Sequence, residues 1–253
     1  MRLEEAKAIV TGAASGLGRC FALELARAGA AVAAGDIDVH GLGTLKAECE
    51  GLPGRLLTDK LDVSQESSVV AFVSRVAEEF GGLNVLVNNA GILRDGVLAK
   101  GEAGWVKKLP TMQWRQVVDV NLTGQYLMAR EAAAEMLKRG IKEGVFVNIS
   151  SISSAGNPGQ SNYAASKAGL DACTRTWALE LAESGIRVGG IAPGVIETPI
   201  LKNISEEAKR DLLDGIPLGR FGHPREVWQA LRFIIECEYF TGRILYVDGG
   251  SNF

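Results

Sequence analysis

Tyr163 and Lys167 stand four residues apart in Tyr163-Ala164-Ala165-Ser166-Lys167. On a helix that spacing puts both on one face. A tyrosine hydroxyl ordinarily titrates near about 10 and moves protons poorly at neutrality. An ammonium beside it favours the phenolate and pulls that value toward working pH. The pair is therefore suited to exchanging a proton with a carbonyl or alcohol oxygen. Lys167 can also reach the ribose of a bound cofactor. A second constellation lies near the start of the chain. Thr11-Gly12-Ala13-Ala14-Ser15-Gly16-Leu17-Gly18 follows a short apolar run and opens a helical pattern. Gly12 permits a tight turn, Gly16 lets backbone approach a pyrophosphate, and Gly18 allows close helix–strand packing; Ser15 and Leu17 complete the loop. Asp36 comes 24 residues after Gly12, at the end of a second strand-like run. A carboxylate there accepts hydrogen bonds from ribose hydroxyls and repels a 2′-phosphate. No arginine lies inside the loop, and Arg19 comes just after it. These residues point to a dinucleotide, NAD(H) in preference to NADP(H).

The elements that must hold these groups alternate along the whole chain. Strands are expected at 6–11, 30–36, 55–63, 83–87, 144–149, 186–191 and 243–247. Helices are expected at 16–28, 39–50, 66–80, 111–139, 160–183, 205–213 and 225–236. Leu17, Phe21, Leu25 and Ala28 mark one helical face, and Val69, Val73, Val76 and Phe80 another. Runs such as Ala31-Val32-Ala33-Ala34 show no in/out alternation, the mark of strands buried on both faces. The pattern predicts a doubly wound α/β (Rossmann) fold, a single domain spanning 1–253 with about seven parallel strands and helices on both faces. An eight-fold barrel shares the alternation, but the glycine loop belongs to the open sheet.

Composition narrows the function classes. The 253 residues are 47% hydrophobic and 23% charged, which excludes disorder. A net charge of −3 and no Lys/Arg stripe argue against nucleic acid. The longest uncharged stretch, 144–166, carries six serines, three asparagines and a glutamine, so no membrane span is expected. Met1-Arg2-Leu3-Glu4-Glu5 turns acidic at once and gives no signal peptide. Cys20, Cys49, Cys173 and Cys237 form no CxxC, so idle thiols in a reducing cytoplasm are expected. His40 and His223 belong to no cluster with metal-ligand spacing, and no metal is expected. Trp105, Trp114, Trp177 and Trp228 are scattered and read as core or interface residues.

Further motifs carry a family resemblance across nearly the whole chain. They are the TGxxxGxG loop, Asp62-Val63, Asn88-Asn89-Ala90-Gly91, Asn121-Leu122-Thr123-Gly124, the YxxxK pair, Pro193-Gly194 followed by Thr198, and Val247-Asp248-Gly249-Gly250. In this order they resemble the short-chain dehydrogenase/reductase family, in its ordinary-length single-domain branch. The resemblance implies that Asp62 and Val63 meet the adenine. It places Asn89, Ala90 and Gly91 along the cofactor, and Pro193, Gly194, Ile196 and Thr198 beside the nicotinamide. It implies a tetrad of Asn121, Ser151, Tyr163 and Lys167, with Asn121 holding a water that links Lys167 to solvent. The serine is open by one residue: the strand-anchored NxxS pattern (Asn148 to Ser151) gives Ser151, whereas counting back thirteen from Tyr163 gives Ser150. The strand end favours Ser151, because a one-residue slip turns the hydroxyl to the other face.

The implied activity is NAD(H)-dependent interconversion of a secondary alcohol and a ketone. The substrate has an apolar body: a 3-hydroxyacyl thioester, a hydroxysteroid or a small alcohol. The alternative within the class is a 3-oxoacyl-acyl-carrier-protein reductase, usually NADPH-linked. From another class comes a non-catalytic dinucleotide-binding regulator, which typically lacks the Tyr or Lys retained here. A sugar-nucleotide epimerase needs a larger C-terminal domain. An extension at 99–108 is expected to form a hairpin beside the active-site mouth. It resembles one in the hydroxyacyl-CoA dehydrogenase branch, which implies that Lys100, Lys107 and Lys108 meet CoA phosphates. Leu93, 152–157 and an amphipathic lid at 200–217 (Ile200, Leu201, Ile204, Leu212, Leu213) are expected around the substrate. The family resemblance implies a homotetramer, or a dimer, built on the helices at 111–139 and 160–183, with Tyr126, Met128, Trp177 and Leu181 outward.

Overall fold

The computed structural model describes residues 1–102, 104–199, 201 and 205–251. Nine strands form among the described residues: β1 (Lys7–Thr11), β2 (Ala31–Asp36), β3 (Arg55–Lys60), β4 (Val85–Asn88), β5 (Ala99–Glu102), β6 (Trp105–Lys108), β7 (Gly144–Ile149), β8 (Ile186–Pro193) and β9 (Ile244–Val247). Seven of them make one sheet in the order β3-β2-β1-β4-β7-β8-β9, every pairing parallel. The helices are α1 (Gly16–Arg27), α2 (Val39–Glu48), α3 (Glu66–Glu79), α4 (Thr111–Val118), α5 (Gly124–Lys138), α6 (Ser161–Leu181), α7 (Glu206–Asp214) and α8 (Pro224–Glu236).

Why the strands lack alternation is visible in the core. Ala8 and Val10 of β1 enter the apolar cluster under α1, α2 and α8, while Ile9 between them enters the cluster under α3 and α5. Successive side chains point to opposite faces, and both faces are covered by helices, so every position must be apolar. The expected doubly wound fold is therefore the observed one.

Two expectations fail in an informative way. The helix expected over 111–139 is three segments: α4, a π-helical turn at Asp119–Thr123, and α5. The wider turn shifts the phase of everything after it. As a result Met128 is fully buried; on α6, Trp177 and Leu181 pack half-buried on the same cluster, so of the four residues expected outward Tyr126 alone is exposed. Of the tryptophans expected in cores or interfaces, Trp228 is buried in the core and Trp105 and Trp114 are exposed on the single chain, as an interface position requires. His223 is structural: its Nδ1 accepts the Arg225 N–H and caps α8.

The extension forms the expected hairpin, β5 against β6, with Lys100 opposite Lys107 and Ala99 opposite Lys108. Its base is tied to the loop before α6 by Gly96 N–H donating to the Gly159 carbonyl at 2.7 Å. Ile200 and Ile204 of the expected lid, and Ala103 of the hairpin, lie outside the described residues. Leu212 and Leu213 on α7 are half-buried.

Candidate active site

Strand order reverses between β1 and β4, which opens a crevice at the carboxyl ends of the strands. Residues from six strand ends (β1, β2, β3, β4, β7 and β8) converge there. Gly12 (φ 65°) and Gly16 (φ 55°) adopt the left-handed backbone that glycine alone takes easily. A side chain on Gly18 would run into the Gly12 carbonyl and the Asn89 side chain. Ser15 is the N-cap of α1 but makes no side-chain bond to the first turn, so the N–H groups of that turn face outward for an anion. A Cβ on Gly16 would lie 3.7 Å from the Thr198 side chain, so the loop and the segment after β8 approach each other. Leu17 packs half-buried against the core.

Asp36 is pinned to this loop. One carboxylate oxygen accepts the Ala14 N–H at 2.9 Å, and the other accepts the Asp38 N–H at 2.9 Å. Arg19 donates to the carbonyls of Ala14 (3.3 Å) and Gly41 (3.0 Å) and pairs with Glu48 at 2.5 Å. The guanidinium is thus held by an acidic partner and two carbonyls. Asp62 is half-buried and accepts from the Ser64 N–H and hydroxyl, in a turn that leads into α3; Val63 is buried beside it.

Thr11, a residue the motif reading passed over, organises the far side. Its Oγ1 accepts the N–H groups of Asn89 (3.0 Å) and Ala90 (2.9 Å). The Asn89 amide donates to the carbonyls of Thr11 and Gly12. A Cβ on Gly91 would sit 3.4 Å from Asn121 Oδ1 and 3.7 Å from Lys167 Nζ. Glycine there keeps open the space in front of both groups. Pro193 ends β8, Gly194 N–H donates to the Val247 carbonyl, and Ile196 is buried and bridged to Gly222.

The reacting groups meet at the ends of β7 and α6. Tyr163 and Lys167 share one face of α6, with Lys167 Nζ 5.6 Å from the tyrosine ring centre. Lys167 is buried and donates to the Ile149 carbonyl at 2.7 Å. Asn121, in the π-helical turn, is fully buried; its Oδ1 accepts the Ile92 N–H (2.8 Å) and its Nδ2 donates to the Ile92 carbonyl (2.9 Å). The Ser151 hydroxyl lies by the Tyr163 hydroxyl, where it favours the phenolate, and its Oγ accepts the Ser153 N–H at 3.1 Å. With that acceptor position filled, the serine proton is available to an oxygen outside. The Ser150 hydroxyl is buried without a hydrogen-bond partner. The rim carries two more groups the sequence reading did not single out: Gln160 donates to the Asp95 carboxylate at 3.3 Å.

The electrostatics depart from the expectation for Tyr163. Burial pushes its hydroxyl above the ordinary value of 10.0; the Ser151 hydrogen bond opposes the rise, and the Asp95 charge adds to it. Burial drives Lys167 down to about 8, opposed by the Asp171 carboxylate. In the protein alone, desolvation outweighs the helpful ammonium. Tyr163 therefore holds its proton at neutrality, the state required to give one to a carbonyl oxygen.

The chain is similar to known oxidoreductases over nearly its whole length. A family model described as enoyl-(acyl carrier protein) reductase matches residues 12–252. The chain is 43% identical over 253 residues to a 3-oxoacyl-[acyl-carrier-protein] reductase of Thermotoga maritima, covering 99% of each. It is 39% identical over 249 residues to a cis-4-hydroxycyclohexanecarboxylate dehydrogenase of Sinomonas cyclohexanicum, covering 97% of this chain and 96% of the relative. A crystal structure of a short-chain type dehydrogenase/reductase from Mycobacterium marinum superposes with a TM-score of 0.88 at 31% identity, covering 98% of this chain and 96% of that one.

Proposed function

The chain belongs to the short-chain dehydrogenase/reductase family, enzymes that interconvert ketones and secondary alcohols with a nicotinamide cofactor, and from there we propose that it reduces 3-oxoacyl thioesters with NADH. The observation that carries the chemistry is Tyr163, protonated beside Ser151, with Lys167 Nζ 5.6 Å from its ring. Support for NADH comes from Asp36, whose carboxylate is fixed at the glycine loop and opposes a 2′-phosphate, and from Arg19, held by Glu48. Support for the thioester comes from the 3-oxoacyl-[acyl-carrier-protein] reductases among the similar proteins. The dehydrogenase from Sinomonas supports a second reading, a small cyclic alcohol.

The residues fit the cofactor. The outward N–H groups of α1 suit its pyrophosphate, Asp36 the adenosine ribose, and the space kept open by Gly91 the nicotinamide end, with Lys167 on its ribose. Asp62 and Val63 flank the adenine, and Asn89, Ala90, Pro193, Gly194, Ile196 and Thr198 line the remainder. A bound nicotinamide supplies the hydride. Ser151 donates a hydrogen bond to the substrate oxygen, where negative charge grows. Tyr163 gives its hydroxyl proton to that oxygen. Lys167 stabilises the phenolate left behind, and Asn121, fixed by Ile92, positions a water through which the proton is replaced. In the reverse direction Tyr163 takes the alcohol proton.

The chain forms a homotetramer, or a dimer, through the α5–α6 face, where Tyr126, Leu137 and Leu179 are exposed. Lys107 and Lys108 of the exposed hairpin, with Lys100 opposite Lys107, meet the phosphates of the thioester carrier. The test is turnover of 3-oxoacyl thioesters, a ketosteroid and a cyclic ketone with NADH and NADPH. The expected result is the highest kcat/KM for a thioester with NADH. No thioester turnover, or a preference for NADPH, contradicts the proposal.

A further inference from the structure

Asp171 lies on α6 four residues beyond Lys167, on the same buried face. None of the motifs includes it. It is 7% exposed, and one carboxylate oxygen is buried without a hydrogen-bond partner. A buried carboxylate with an unpaired oxygen is unfavourable unless a nearby charge offsets its desolvation. Lys167, four residues before it, is 3% exposed and likewise in need of a counter-charge, whereas Arg175, four residues after it, is exposed to solvent. Residues four apart on a helix hold their Cβ atoms about 5–6 Å apart. Other charges near α6 are directed elsewhere. Arg175 donates to the Asp171 backbone carbonyl. Arg187 on β8 is engaged with the carbonyls of Ile234, Ile235 and Phe240. Arg115 on α4, Asp119 in the π-helical turn and Glu183 after α6 are exposed. The segment Ile152–Ala155 that packs on α6 carries no charge, and Asp95 acts on Tyr163 from the rim.

We propose that Asp171 is a positioning residue of the active site: its carboxylate keeps the buried Lys167 ammonium charged, and through Lys167 it sets the upper pH limit of catalysis. The inference rests on the role given to Lys167 above. Opposite charges about 4–6 Å apart shift a titration by about one pH unit or more. Removing the carboxylate therefore brings Lys167 below its value of about 8, toward neutrality.

The test compares wild type, Asp171→Asn and Asp171→Glu in two measurements over the same pH range. One is the pH–rate profile of ketone reduction; the other is NADH affinity by fluorescence, which needs no turnover. In Asp171→Asn the alkaline fall of both is expected about one pH unit lower, so that at about pH 8, where wild type is half active, the variant loses rate by about a further fivefold. Asp171→Glu restores the limb. An unmoved limb in Asp171→Asn, whatever the drop in its plateau, overturns the inference while leaving the functional reading intact. If Asp171→Asn does not fold, an Asp171→Glu limb at the wild-type pH supports the inference and a displaced one overturns it. A wild-type protein that binds neither dinucleotide overturns both readings.

Discussion

Ser150 and Ser151 are adjacent hydroxyls at the end of one strand, and replacing each by alanine should have opposite consequences. Ser151 accepts the Ser153 N–H and lies beside the Tyr163 hydroxyl. In the proposed reaction its proton is the donor to the substrate oxygen as that oxygen gains charge. Loss of one such donor costs about 2.7–4 kcal/mol of transition-state stabilisation, or 10²–10³ in kcat. Loss of its cap on the Ser153 N–H costs about 1 kcal/mol of stability, a fall of about 2–4 °C in Tm. The Ser150 hydroxyl has no partner in its buried site. Removing an unsatisfied polar group relieves a penalty of about 1–3 kcal/mol, so Ser150→Ala should be as stable as wild type or more so. Its kcat should stay within about twofold. The assay is NADH absorbance during ketone reduction, with thermal melts of the same preparations. A Ser150→Ala variant that loses turnover while Ser151→Ala keeps it would refute the strand-end register.

Asp36→Ser should raise kcat/KM for NADPH relative to NADH by about tenfold or more, because one repulsive charge at the 2′-position is worth at least about 1.4 kcal/mol; equal ratios in both proteins would argue against the ribose assignment. Gly18→Ala places a methyl group against the Gly12 carbonyl and the Asn89 side chain, so Tm should drop and NADH affinity with it. Unchanged binding would mean that the loop does not hold the pyrophosphate. Tyr163 titrates above its ordinary value and Lys167 at about 8, so ketone reduction should be level through neutrality and decline above about pH 8 as the ammonium is lost. A rate that instead rises through that range contradicts the assigned protonation states.

Much of this architecture was legible in the sequence, because each strand is an apolar run closed by turn residues and each βα unit repeats the pattern. The glycine loop, Asp36 and the Tyr163–Lys167 pair were legible for the same reason: each depends on spacing within one or two adjacent elements. What was not legible depends on contacts between distant segments. The π-helical turn at Asp119–Thr123 leaves no composition signal, and it rotates the phase that placed Met128 outward. The role of Thr11 needs β4 as a neighbour, and that of Asp95 needs the Gln160 loop. The titration of Tyr163 ran opposite to expectation because helical spacing reports the ammonium but not the burial of both groups.

Proton transfer by Tyr163 is tested most directly by single-turnover reduction with Tyr163→Phe, alongside NADH binding to the same protein. The substitution removes one hydroxyl and keeps the ring, so NADH affinity should be retained. Turnover should fall by about 10²–10⁴, the usual contribution of a positioned proton donor. A Tyr163→Phe protein that reduces the ketone at the wild-type rate would show that the proton comes from elsewhere.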